Sequence, residues 1–352
     1  MKLFSMTVGL VLLALTAPTT FAAVSVKTAT KSESGQEIIG MTTTIVTIRR
    51  NALKIPIQVN EILWIRYSNE SPLMPKVREF AASGRYEDAI ERLGRIRVNT
   101  GENSYETQEV EFYSAFCRAQ MALGGTVKRT VGVKALGVFI SKHPNNYHVL
   151  RCRELLGRLE VALGHYKEAE EHYLALVNTN WPDYKIQAYT AVGESAVAQG
   201  NLAKAQGDAS AAQEKFARAQ SMFNRALKIE AADERSAQNK HVARIGVARC
   251  LAESGDVAGG IAAINEVIKK VGPEARMLLP RAYLALGYCY KMDNKPKQAV
   301  LQFLMVDLIY NAHRASHAEA LKNLVGLWEV TKNIENTRRA KRRLKQLYPG
   351  VD

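Results

Sequence analysis

Apolar and polar residues alternate along this chain with two different periods. Between residues 37 and 67 the period is two, in Thr44-Ile45-Val46-Thr47-Ile48, Lys54-Ile55-Pro56-Ile57-Gln58-Val59-Asn60 and Ile62-Leu63-Trp64-Ile65-Arg66-Tyr67. Alternation among β-branched residues predicts three strands. Arg50-Asn51-Ala52 turns the chain between the first two, Gly40 marks a bend after an earlier strand, and Pro56 puts its strand at an edge or bulge. Residues 24–36 are polar and rich in Thr, Ser and Lys. Residues 23–70 are thus expected to form a small antiparallel β-unit. So short a unit buries little apolar surface, so it should dock on the first helices.

From residue 72 the apolar period becomes that of a helix, broken at regular intervals. Gly84, Gly124, Gly164, Gly200, Gly255, Asn294 and Asn333 stand at these breaks. Gly and Asn enter the left-handed conformation that ends a helix more readily than other residues. The breaks divide the chain into hairpins over 72–97, 105–142, 147–178, 183–232, 235–270, 274–311 and 314–348. The spacing is widest after Gly200, where the next break comes 55 residues on, and the alanine-rich stretch 202–232 in that gap is expected to be an extended helical insertion, in one piece or interrupted near Gly207-Asp208. Self-similarity at such a period is the signature of a solenoid, in which each hairpin buries its neighbour's apolar flank.

Inside the hairpins a large residue precedes a small one on the first helix, as in Leu156-Gly157, Val192-Gly193 and Leu286-Gly287. The small residue lets two helices cross closely. The second helix carries Ala89, Ala169, Ala205 or Ala299, followed four residues on by Leu93, Tyr173 or Phe303 in three of the copies. This pattern resembles that of the tetratricopeptide repeat family, over roughly residues 72–348. The period here is nearer 39 than 34 residues, Gly260 replaces the alanine in the fifth hairpin, and the second hairpin fits poorly. The resemblance implies a mainly α fold, a right-handed α-solenoid; the strand pattern before it is that of a small SH3-like or Sm-like antiparallel unit of five strands. The resemblance also implies a non-catalytic scaffold that holds a partner protein or peptide on its concave face.

The first 22 residues look like a secretory leader: Lys2, an apolar stretch over residues 3–17, and small residues before a cut after Ala22. We therefore expect an exported, periplasmic or extracellular protein with no membrane span once the leader is removed. The formal net charge is +14, and the leader contributes only Lys2 to it. A basic exported protein is suited to acidic envelope components, and nucleic acid is not an expected partner. Cys117, Cys152, Cys250 and Cys289 fall on the first helices of different hairpins, where equivalent positions are too far apart to bridge. They read as small buried hydrophobes.

The search for chemistry yields little. His313 and His317 have the i, i+4 spacing of a metal pair, but Arg314 stands where a zinc hydrolase needs its glutamate. Gly124-Gly125-Thr126-Val127-Lys128-Arg129-Thr130 lacks the glycine before lysine and the preceding strand of a phosphate loop. No cofactor, metal or catalytic set is expected. The densest charge block is Arg338, Arg339, Lys341, Arg342, Arg343 and Lys345, with Leu344 and Leu347 as its apolar side. It is either the solvated cap of the array or a contact for an anionic envelope component, such as an acidic polysaccharide or lipid head groups.

Overall fold

A computed structural model describes residues 24–97 and 104–349. The expected leader lies outside them. The N-terminal unit has six strands: β1 (Val24–Thr28), β2 (Ser32–Gly35), β3 (Glu37–Met41), β4 (Ile45–Arg50), β5 (Leu53–Gln58) and β6 (Ile62–Tyr67). They form two antiparallel sheets, ordered β2-β1-β6 and β3-β4-β5. Gln36 alone separates β2 from β3, so one bent run of chain passes from sheet to sheet. A Cβ on Gly35 would stand 2.7 Å from the Arg49 carbonyl, so the bend requires glycine.

The sequence reading falls short here in two places. The polar stretch 24–36 holds two strands, because Val24, Val26 and Thr28 alternate into the core while polar residues face out. Gly40 is not at a bend between strands; it lies within β3, where the pairing with β4 slips between Ile38 and Gly40. The turn comes after it, where the Thr42 hydroxyl accepts from the Ile45 amide at 2.9 Å. Asn51 turns β4 into β5 at a φ of 55°, and Pro56 sits on the edge strand β5.

Seven antiparallel helical hairpins follow among the described residues. They are α1 (Met74–Ala82) with α2 (Tyr86–Leu93), α3 (Tyr105–Leu123) with α4 (Arg129–Lys142), and α5 (Val149–Leu163) with α6 (Tyr166–Val177). Next come α7 (Pro182–Ala205) with α8 (Ala209–Lys228) and α9 (Glu234–Glu253) with α10 (Val257–Val271). The last are α11 (Leu279–Met292) with α12 (Pro296–Leu308) and α13 (Arg314–Val330) with α14 (Ile334–Leu347). Polar caps start many of them: Ser104, Asp208, Asp233, Asp256 and Asn333 each accept from the amide three residues on.

Left-handed residues mark every turn within a hairpin: Gly84, Gly125, Gly164, Gly207, Gly255, Asn294 and Lys332. Three expected turn positions are thereby corrected. Gly124 is right-handed and Gly125 makes the turn. Asn333 caps α14 with its side chain, and Lys332 takes the positive φ. Gly200 lies inside α7, and the extended insertion is interrupted at Gly207.

The role of Gly200 is a packing one. A Cβ on Gly157 would come within 3.0 Å of the Tyr173 ring, one on Gly287 of the Phe303 ring, and one on Gly200 of the Phe216 ring. In all three the aromatic follows its glycine by sixteen residues across the turn. The longer α7–α8 pair adds a second level, where Phe223 packs on Gly193 and on Gly246 of α9. Ala89, Ala169 and Ala299 are fully buried five residues after their turns. In the fourth hairpin this place belongs to Ala212, and Ala205 is exposed. In the fifth even a methyl is excluded, since a Cβ on Gly260 would stand 2.6 Å from the Ala248 carbonyl. Leu156 and Leu286 are buried beside their glycines.

The β-unit reaches further along the array than its first helices. Its core is continuous with Tyr147, Leu150, Leu176, Trp181, Tyr184 and Ala188, from the third and fourth hairpins. Trp181 Nε1 donates to Gln58 Oε1 at 3.1 Å, and Asn60 Nδ2 to Asp183 Oδ1 at 3.2 Å. Its contact with α1 is polar, through Arg78, which donates to the Ile65 carbonyl at 2.8 Å.

Candidate ligand groove

The first helix of each hairpin packs on the first helix of the next, which puts α1, α3, α5, α7, α9, α11 and α13 on the inner side of the curve. The curve is tight enough to close. A Cβ on Gly124 would stand 2.7 Å from Arg314 Nε, so the α3–α4 turn meets the start of α13. Across the interior, Arg281 at the start of α11 donates to Glu194 of α7, past the intervening α9. The inner surface is thus a deep groove whose two ends are drawn together.

Three cavities lie along it and at its edge, each open to solvent on one side. One, of about 620 Å³, lies between α5, α7, α9 and the segment entering α11, among Gln187, Asn239 and His241. A second, of about 480 Å³, is lined from Leu123 and Arg129 round to Glu319 and Lys322. Arg158, Ala191, Glu194, Val242 and Arg281 border both. The Arg281–Glu194 pair is therefore a bar between the two. A third, of about 520 Å³, separates Leu63 and Trp64 of β6 from Tyr113, Phe116, Arg151 and Tyr184.

A chain of polar contacts crosses four inner helices in the second opening. Arg249 Nη2 donates to Asn201 Oδ1 at 3.0 Å, and its guanidinium lies 4.3 Å from the Tyr288 ring centroid. Tyr288 donates to Glu319 Oε1 at 2.7 Å and accepts from Asn323 Nδ2 at 3.0 Å. Burial, then the Glu319 carboxylate, pushes the Tyr288 phenol up, so it stays a donor. His313 sits beside this region, and burial, followed by Arg281 and Arg158, lowers its pKa to about 3. It is neutral near pH 7, and its Nδ1 accepts from the Ser316 amide at 3.3 Å to cap α13.

The third opening rests on a buried network. Arg78 makes two bonds to Glu70, at 2.9 and 2.6 Å. Glu109 Oε1 accepts from the Tyr147 hydroxyl at 2.7 Å and meets His148 Nε2 at 3.0 Å. Burial would raise Glu109, but His148 and Arg78 outweigh it and hold the carboxyl low. Burial lowers His148 despite Glu109, and its ring stacks on Phe112 at 3.3 Å. Arg151 lies 4.4 Å over the Phe116 ring at the mouth.

The residues picked from the sequence occupy other places. Apart from Tyr173, the packing residues Leu156, Gly157, Ala169, Gly193, Leu286, Gly287, Ala299 and Phe303 line none of these openings. The cations of α14 also lie outside them. Arg343 donates to Asp307 at 2.5 Å and Lys341 meets Glu329 at 2.5 Å, while Arg338, Arg339, Arg342 and Lys345 are exposed. Leu347 is exposed, and Ala340 and Tyr348 supply the buried side expected of it. His317 engages Asp307 at 2.7 Å and the Tyr348 hydroxyl at 2.6 Å through its two ring nitrogens. The four cysteines are buried and free.

The groove residues do carry a signal in the sequence. Arg158, Glu194, Asn201 and Tyr288 each immediately follow a helix-packing glycine. Consecutive residues on a helix are about 100° apart, so when the glycine faces its hairpin partner, the next side chain faces the groove.

No family model matches the chain, and no curated protein matches it. Solved structures do. NprR in complex with its cognate peptide NprX is 12% identical, with a TM-score of 0.53, over 78% of this chain and 77% of that one. A tetratricopeptide repeat protein from Parabacteroides merdae is 16% identical, with a TM-score of 0.48, over 79% of this chain and 97% of that one. A Rap protein complexed with competence and sporulation factor is 13% identical, with a TM-score of 0.49, over 79% and 76%. Likeness at these identities is likeness of fold. The hairpin order, the glycine–aromatic packing and the likeness of fold to NprR together make the chain a tetratricopeptide-like α-solenoid carrying a small β-unit.

Proposed function

We propose that this protein is a non-catalytic adaptor that holds an extended peptide, or an extended segment of a partner protein, in its inner groove. The observation that carries this reading is the groove wall. Amide, guanidinium, carboxylate and aromatic side chains from consecutive inner helices line two adjoining cavities of one groove. Extended backbone offers donors and acceptors at short, regular intervals, and such a wall can answer them. NprR, which shares the fold, was solved with its cognate peptide. We further propose that the adaptor works outside the cytoplasm, on the leader-like composition of residues 1–22.

The test is selection of displayed random peptides against the intact protein, followed by titration of the best binders. Asn239→Trp fills the first opening, and Val138→Trp changes an exposed position on α4. The expected result is at least about a tenfold loss of affinity for Asn239→Trp and none for Val138→Trp. Binders indifferent to Asn239→Trp would refute the groove as the site.

A further inference from the structure

The outer surface of the last two hairpins carries a feature that the groove does not use. On α12, Leu301 and Leu308 are 59% and 63% exposed, and Ile309 beside them is 60% exposed. Leu301 and Leu308 are seven residues apart, hence on one face of the helix, while Ala299, Phe303 and Val306 point into the core. Half-buried Met305 lies between the two leucines on the same face, so the residues form a stripe rather than the scattered exposed leucines of any surface. Lys297 extends it by one turn toward the start of the helix.

The exposed cations of α14 lie alongside. Arg343 bridges the two helices through its bond to Asp307, the residue before Leu308. Both are second helices of their hairpins and run parallel. Arg339 is one turn from Arg343 on the same side of α14, which sets it level with the middle of the leucine stripe. Arg342 and Lys345 flank the bridge, and Arg338 continues the run. None of these four has an intramolecular ion pair among the described residues.

We propose that this face docks on an anionic lipid bilayer, with Leu301, Leu308 and Ile309 entering the head-group boundary and the α14 cations resting on lipid phosphates. Apolar stripe and cations together are what interfacial binding requires. A polysaccharide would have no use for the leucines. A second copy of the chain, joined about a two-fold axis on the stripe, would bring two cation runs together and repel. An acidic protein remains as an outcome of the test.

The experiment is co-sedimentation of the intact protein with phosphatidylcholine vesicles, with and without phosphatidylglycerol. Binding is expected to the anionic vesicles alone and to weaken with salt. Arg338→Gln/Arg339→Gln/Arg342→Gln should weaken it about a hundredfold, and Leu301→Ser/Leu308→Ser about tenfold. A polarity-sensitive dye on Leu308→Cys should shift to the blue on anionic vesicles, and one on Val138→Cys should not; this reading does not depend on the multiple variants folding well. Equal binding to neutral vesicles, or none to anionic ones, overturns the proposal. Loss in the arginine variant with no effect in the leucine variant and no dye shift also overturns it, in favour of a purely charged partner.

Discussion

Single atoms decide how closely the helices of this array approach. The glycines of the first helices are the clearest case, because the aromatic of the second helix occupies the space where their Cβ would be. Gly157→Ala and Gly287→Ala should each destabilise the fold by about 1–3 kcal/mol in urea titrations, through overpacking. Gly137→Ala and Gly326→Ala, at helical positions with open space, should instead stabilise by about 0.4–1 kcal/mol. His313 gives a residue-scale test in pH. Its ordinary value in an unfolded chain is about 6.5, and in the fold it is held at about 3. Between those values the unfolded chain binds a proton that the folded chain refuses, so stability falls as pH drops from 6.5 toward 3. His313→Asn keeps a side chain able to cap α13 and should flatten that part of the profile. An unchanged slope would mean that other groups carry the acid sensitivity.

At the scale of elements, what was legible in the sequence followed from local physics. Helical periodicity and turn-forming residues locate all seven hairpins, because each must bury an apolar stripe and then reverse. Where two residues could each make the turn, as at Gly124 and Gly125 or Lys332 and Asn333, the local pattern does not choose between them. Gly200 closely mimics a turn, since Leu202 and Ala203 follow it as a second helix would begin, yet it serves Phe216 instead. The strands β1 and β2 leave little trace in the sequence because Val24 and Val26 are their sole large apolar residues. The groove wall was hidden for another reason. Its side chains are polar, and polar positions on a helix read as solvent-facing until the curvature of the array is known.

The docking of the β-unit belongs to the same scale. Trp181 joins it to the start of α7 by packing and by the bond to Gln58. Trp181→Ala should cost about 3–5 kcal/mol, as large aromatic truncations do. Limited proteolysis should then cut between residues 24 and 70 faster than in the unaltered protein. Equal rates would show that contacts through Arg78 are enough to hold the unit.

At the scale of the molecule, the array bends until its seventh hairpin touches its second. This contact draws the inner surface into a deep groove, and no local feature of the sequence announces it. Arg314 is the contact, held by its bond to the Leu347 carbonyl and by the Tyr348 ring 5.4 Å away. Arg314→Ala should let the two ends part, and small-angle scattering would then record a larger radius of gyration. The most direct measurement of the account as a whole is amide hydrogen exchange on the intact protein, with and without a selected peptide. Slower exchange confined to α5, α7, α9 and α11 is the result expected of a ligand held inside. Protection on α6, α8, α10 and α12 with the inner helices unchanged would contradict it.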